Sequence, residues 1–275
     1  MSDSRLVTHI RPSRGVAGID FAELWRYRQL VIAFATRDVK LRYRQTALGV
    51  AWVVLQPLLG AVIFAMFSKV AKIPTSGVPA IAFSFASLLG WTVFQSTLTK
   101  SGNCLLGNSQ LVSRVYFPRM VLPVSVVPGV LLDLAVSVSV MAVIMVVHGI
   151  APTVALLTAP LFIVGMILLA LACGMVFSAL SVSFRDIQYI VPVMVQFLFW
   201  ASPIVLPARL FEGNLRWVIL ANPITGYIEG LRWALLGTPA PEPAAIVFSV
   251  AISVFGFAAG AIFFHRLERK FADVI

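Results

Sequence analysis

From Leu134 to Phe184 the chain has no charged side chain, a gap of 51 residues, and between Met120 and Arg185 only Asp133 is charged. A soluble domain of 275 residues does not carry such a gap. A membrane helix needs about 20 apolar residues to cross ~30 Å of hydrocarbon, so the gap holds two spans. Other absences narrow the chemistry. There is no G-x-x-x-x-G-K-[ST] phosphate loop, and none of the five lysines follows a glycine; the chain is expected to hydrolyse no ATP by itself. Cys104 and Cys173 are the only cysteines and fall in different segments, which excludes a disulfide framework. No His/Cys/carboxylate group has metal-ligand spacing, and no D-x-D, nucleophile elbow or carboxylate pair suggests an enzyme.

What remains is an apolar chain: 60% hydrophobic, 12% charged, with a mean hydropathy of +0.95, values that place it among integral membrane proteins. Its net charge of +10 therefore reads as membrane topology and not as a nucleic-acid surface. Uncharged windows cover Gln45–Ser68, Ile73–Thr99, Met120–Val147 (interrupted by Asp133), Thr153–Phe184, Ile187–Ala208 and Pro243–Phe264. The long gap divides at the Gly and Pro of His148-Gly-Ile-Ala-Pro152. These windows predict an all-α membrane protein of six spans with both termini on one side. Sixteen of the 21 basic residues fall on that side, in the N-terminal segment, the second and fourth loops and the C-terminus. Only Lys69, Lys72, Arg209, Arg216 and Arg232 fall on the other. Both termini are therefore expected in the cytoplasm. The first 45 residues are polar and basic, so no cleavable signal is expected.

The chain divides into a cytoplasmic segment 1–45, a six-helix domain 46–265 and a cytoplasmic tail 266–275. In the first, Asp20-Phe-Ala-Glu23 resembles a capping box. After it Phe21, Leu24, Trp25, Ile32, Ala35 and Val39 fall near one face, which predicts a basic amphipathic helix in the membrane interface. Within the domain, loop 101–118 is polar enough to leave the bilayer. Segment 207–241 is too polar to span, yet Leu215–Ala221 and Thr225–Leu236 are helical in pattern, broken at Asn222-Pro223. Asp133 reads either as a proton site or as a carboxyl bonded to Ser137, Ser139 or a neighbouring helix.

Four motifs then add up. Arg37-Asp-Val-Lys-Leu-Arg-Tyr-Arg-Gln-Thr-Ala-Leu-Gly-Val-Ala-Trp-Val-Val-Leu-Gln-Pro57 resembles the opening of the first span in permeases of bacterial polysaccharide ABC exporters, the type-2 family that handles O-antigen, capsule and teichoic acid. Arg114-Val-Tyr-Phe-Pro-Arg119 is similar to the end of their first cytoplasmic loop. Phe184-Arg-Asp-Ile-Gln-Tyr-Ile-Val-Pro192 through Ala201-Ser-Pro203 is similar to their fourth loop and fifth span. Asn222-Pro223 followed by Ile228-Glu-Gly-Leu-Arg-Trp233 is similar to the segment before their last span. The matches run in order from about residue 30 to the C-terminus. The resemblance implies a homodimer in the bacterial cytoplasmic (inner) membrane, served by two copies of a separate ATP-binding subunit that holds ATP and magnesium. It implies no cofactor or metal in this chain. It makes loop 101–118 a coupling helix, with Asn103, Leu105, Leu106, Asn108 and Leu111 as the stripe that meets the ATPase; the alternative is a solvated connector. It makes segment 207–241 a pair of short re-entrant gate helices.

A sliding glycan needs weak, sequence-tolerant wall contacts, which aromatic faces and amides supply. Trp52 and Gln56 share a face of span one, continued by Ile63 and Phe67. On span five Gln188, Pro192, Gln196, Phe199 and Pro203 form a stripe, with Tyr189 and Trp200 beside it. Trp52, Gln56, Tyr189, Gln196, Phe199 and Trp200 are thus the candidate substrate path. The competing reading makes Trp91, Phe94, Trp200 and Trp217 interfacial anchors and the two amides interhelical glue. Gly256-Phe-Ala-Ala-Gly260 reads as close packing within the chain. Two other functions stay open: a type-2 permease for drugs or other lipid-linked substrates, and a membrane-embedded glycosyltransferase or assembly scaffold.

Overall fold

The computed structural model describes residues 25–43, 51–115 and 117–274, and every regular element among them is helical. Helix α1 is Arg28–Tyr43, α2 Ala51–Val70 and α3 Ala80–Gly102. The short α4, Cys104–Gly107, and α5, Ser109–Arg114, lead to α6, Val121–Val147. A 3-10 turn at Val154–Thr158 opens α7, Ala159–Ser183. Then follow α8, Ile187–Trp200, α9, Gly213–Leu220, α10, Thr225–Leu236, and α11, Pro243–Val274.

Among the described residues, five segments are long and apolar enough to cross a membrane: Ala51–Val70, Ala80–Gly102, Val121–Val147, Val154–Ser183 and Pro243–Glu268. The fifth expected span, Ile187–Ala208, is shorter than its uncharged window: the helix has 14 residues. At 1.5 Å per residue it is about 21 Å long, less than ~30 Å of hydrocarbon. Pro203 disfavours helix at Ser202, and the Ser202 hydroxyl turns back to donate to Leu198 O at 2.7 Å. The second span also shifts. It begins at Ala80, because residues 71–79 form turns in which Lys72, Ser76 and Gly77 take positive φ, and it continues to Gly102.

Helix α3 is the axis of the bundle, buried along most of its length against α2, α6, α7 and α10. Two of its small hydroxyls suit that position, since they return to their own helix: Ser87 to Phe83 O at 2.9 Å and Ser101 to Thr97 O at 2.6 Å. Two glycines set the approach of the neighbours. A Cβ at Gly174 would lie 1.8 Å from Ser101 Oγ, and one at Gly260 would lie 2.6 Å from the backbone oxygen of Ala172. Gly260 thus packs α11 on α7 as the Gly256–Gly260 motif predicts.

The amphipathic helix differs from its sequence reading. The proposed capping box lies outside the described residues. Of the expected apolar face, Ala35 is buried, but Trp25 and Ile32 are exposed. The face against the bundle is Leu30, Val31, Phe34 and Ala35, with the Phe34 ring 5.9 Å from Phe117. α1 therefore has two apolar edges, one packed on the protein and one bare.

Segment 207–241 breaks where Asn222-Pro223 predicts. Asn222 Nδ2 donates to Ala201 O at 3.2 Å and to Ser202 Oγ at 3.0 Å, while its Oδ1 accepts the Ile224 N–H at 3.0 Å. α10 is packed into the bundle: Tyr227 is buried, with its hydroxyl 2.7 Å from Ser253 Oγ of α11. Gly237 ends α10 in the left-handed region at φ 65°.

Candidate functional site

Two surfaces collect the candidate residues. The first is the end of the bundle that carries α4 and α5. Here α3 leaves its span at Gly102 and the chain turns through Asn103 and Asn108. Asn108 is the tie. Its Nδ2 donates to Cys104 O at 2.9 Å, and its Oδ1 accepts from Arg37 Nη2 at 2.7 Å, which binds the loop to α1. Arg37 in turn pairs with Asp38 at 2.8 Å. A cavity of about 470 Å³ opens between α1, the loop and α6, lined by Arg37, Asp38, Lys100, Asn103, Asn108 and Ser125 among others.

One expectation about this loop needs correction. Leu105 does not stand out toward a partner: it is 0% exposed, and its N–H lies 3.4 Å from Ser178 Oγ of α7. Neighbouring Cys104 Sγ lies 3.3 Å from the same hydroxyl, and burial pushes that thiol up to about 12. A four-residue helix folded back on α7 must turn one leucine inward, and Leu105 is that one. Asn103 is exposed; Leu106, Asn108 and Leu111 are half-buried, and Gln110, Ser113 and Arg114 are also exposed. Arg119 closes the loop on α11, its N–H donating to Glu268 Oε1 at 2.8 Å and its guanidinium to Glu268 O.

Asp133 finds its partner on a neighbouring helix. Lys100 Nζ of α3 lies 3.2 Å from its Oδ2. Ser137 bonds instead to the backbone oxygen of Asp133, at 3.1 Å, and Ser139 to Ala135 O, at 2.9 Å. The neighbouring-helix partner that the sequence offered as one reading of Asp133 is thus Lys100.

The second surface runs along α2 and α8. Trp52 (56%), Tyr189 (77%) and Trp200 (67%) are exposed, as are Gln56 and Gln196. Trp52 and Gln56 are one turn apart, as are Gln196 and Trp200. Phe199 differs from the other five. It is half-buried, stacked on Phe64 of α2 with centroids 5.9 Å apart and edge-on to Trp91 of α3 at 5.3 Å. Trp200 meets Phe199 at 5.3 Å. Phe199 therefore joins the two helices, and Phe64 and Phe199 sit 13 and 12 residues past their helix starts at Ala51 and Ile187. With Phe64 level with Phe199, that register puts Gln56 about one and a half turns nearer the helix starts than Gln196. The two pairs share neighbouring helices at different depths.

The ring cluster was not legible as such. Trp91 and Phe94, read as anchors, are 3% and 2% exposed and belong to the core. Trp91 Nε1 donates to Gln95 Oε1 at 2.7 Å, and that i, i+4 pairing was the available signal. Trp217, at 70% exposed, is free to act as an anchor.

A family model described as ABC-2 type transporter matches residues 29–236. The O-antigen export system permease protein RfbA of Klebsiella pneumoniae is 28% identical over 251 residues, 90% of this chain and 95% of the relative. That of Myxococcus xanthus is 28% identical over 256 residues, 92% and 98% of the two chains. A further Klebsiella pneumoniae protein of the same name is 26% identical over 253 residues.

Proposed function

Since the chain belongs to the ABC-2 type transporter family, we propose that it is the membrane subunit of an ATP-driven exporter moving a lipid-linked polysaccharide of the O-antigen, capsule or teichoic-acid kind. The observation that carries this is the similarity to O-antigen export permeases along nearly the whole of both chains. Two copies of the chain pair in the bacterial inner membrane with two ATP-binding subunits, which hold ATP and magnesium. Each copy has six spans, with the 14-residue α8 as the fifth, and both termini in the cytoplasm. The bias of 16 basic residues to that side supports the orientation.

In this reading, Leu106, Leu111 and the exposed polar residues of α4 and α5 receive the ATPase stroke. Leu105, Cys104 and Asn108 transmit it, since they fix those short helices to α7 and α1. Helices α9 and α10 form the re-entrant gate. The path follows α2 and α8. An amide facing lipid is costly, so bare Gln56 and Gln196 favour a wet interior between the two copies over the acyl chains. Phe199 supports the wall from behind.

The test is purification from the membrane. We expect a complex of two permeases and two ATP-binding subunits, with ATP hydrolysis lost when the ATPase is removed. Hydrolysis by the isolated permease, or a chain that recovers no ATP-binding partner, overturns the reading.

A further inference from the structure

The end of the bundle away from α4 and α5 holds a charged cavity that the transport reading does not use. The turn at Ser76, the segment Pro207–Arg209, α9, α10 and the residues before α11 enclose about 170 Å³. Three guanidiniums line it, those of Arg209, Arg216 and Arg232, with the carboxylates of Glu229 and Glu242. The balance is one positive charge.

Both carboxylates are engaged. Glu242 pairs with Arg216, and Glu229 Oε1 accepts the Ala208 N–H at 2.9 Å. Arg209 Nη2 donates to Ser76 Oγ. Arg232 stands apart. It is 2% exposed, its Nη2 donates to Pro203 O, and its guanidinium carbon lies 4.4 Å from the Phe83 ring centroid. Those contacts explain why the side chain is held, but they leave its Nε without a hydrogen-bond partner among the described residues. Burial lowers the guanidinium to about 10, so it is charged at neutral pH. Glu229 is the nearby counter-charge and Arg209 a nearby like charge, so Arg232 stands as a buried cation with an unmet Nε donor in the wall of a cavity that stays net positive. Guanidinium forks match the oxygens of phosphate.

We propose that this cavity binds a single phosphate group, carried by a lipid headgroup at that face or free in solution, through Arg232 and Arg209. The site stands or falls independently of the cargo, because it is read without the ATP-binding partner.

The full chain is purified in dodecyl maltoside, which contains no phosphorus, and titrated with inorganic phosphate and with short-chain phosphatidic acid. Binding is followed by phosphorus NMR line broadening. We expect saturable binding, weakened about tenfold by Arg209→Gln and unchanged by Lys69→Gln, a basic residue of the same end outside the cavity. Arg232→Lys, which keeps the charge and loses the fork, should weaken it as well and avoids the risk that a neutral residue unfolds α10. Saturation by phosphatidic acid alone makes the site a headgroup site; saturation by both makes it a phosphate site. Folded protein that saturates with neither ligand, or binding untouched by Arg209→Gln and Arg232→Lys alike, overturns the proposal.

Discussion

Leu105 and Leu106 are adjacent and chemically identical, and the structure gives them opposite fates. Leu105 is fully buried against α7, so Leu105→Ala should cost about 2–5 kcal/mol and Leu105→Asp should lower the amount of protein in the membrane. Leu106→Asp should leave that amount near normal while export falls. Quantitative blotting of membranes beside an export assay separates the two; equal abundance in both variants would return Leu105 to the surface. Cys104 gives a finer probe of the same contact. Burial lifts its thiol from 9.0 to about 12, so the folded chain holds this proton more tightly than the unfolded one. The resulting stability is complete below pH 9 and is lost as pH rises toward 12. In a Cys173→Ser background at pH 9, alkylation of Cys104 should run roughly five hundredfold slower than that of a free thiol, and should speed up with Leu105→Ala.

Small residues and the Lys100–Asp133 pair join helices among the described residues. Gly260→Ala places a methyl 2.6 Å from the Ala172 carbonyl, which belongs to backbone and cannot rotate away. Overpacking of this kind costs about 1–3 kcal/mol, read as a fall in the melting temperature of the purified chain. Lys100 and Asp133 couple α3 to α6 with side chains 31% and 13% exposed. Removing one member of a mostly buried pair costs more than replacing both, so Asp133→Leu alone should destabilise by about 3 kcal/mol, and Lys100→Met with Asp133→Leu should recover part of the loss. Export by the paired variant, independent of pH, would agree with an anchoring role; its complete loss with normal folding would favour a proton site. The helices themselves were legible because hydrocarbon demands long uncharged runs, which Leu134–Phe184 displays openly. Their ends were not. Lys100 reads as loop by charge but lies inside α3, since Asp133 meets it there, and α8 stops early because Ser202 and Pro203 turn the chain.

For the whole molecule, the family was readable in the order of four motifs, while the exposure of the residues in the proposed path was only partly so. Sequence spacing puts Trp52 with Gln56 and Gln196 with Trp200, and the structure leaves all four bare. It could not say that Phe199 faces inward, because stacking on Phe64 and Trp91 depends on how α2, α3 and α8 meet. Each lost wall contact is worth only about 0.5–1.5 kcal/mol. Single alanines at the four exposed positions should therefore reduce export, and all four together should nearly abolish it with membrane abundance unchanged. Phe199→Ala should instead lower stability. The central claim, that this chain carries a glycan across a membrane on another subunit's ATP, is tested most directly in proteoliposomes. Purified permease and its co-purifying ATP-binding subunit are reconstituted with the lipid-linked glycan, and glycan on the trans side is measured with an impermeant glycosidase. The account predicts ATP-dependent transfer that requires both subunits and disappears in the fourfold alanine variant; ATP hydrolysis with no transfer of glycan by the intact pair would contradict it.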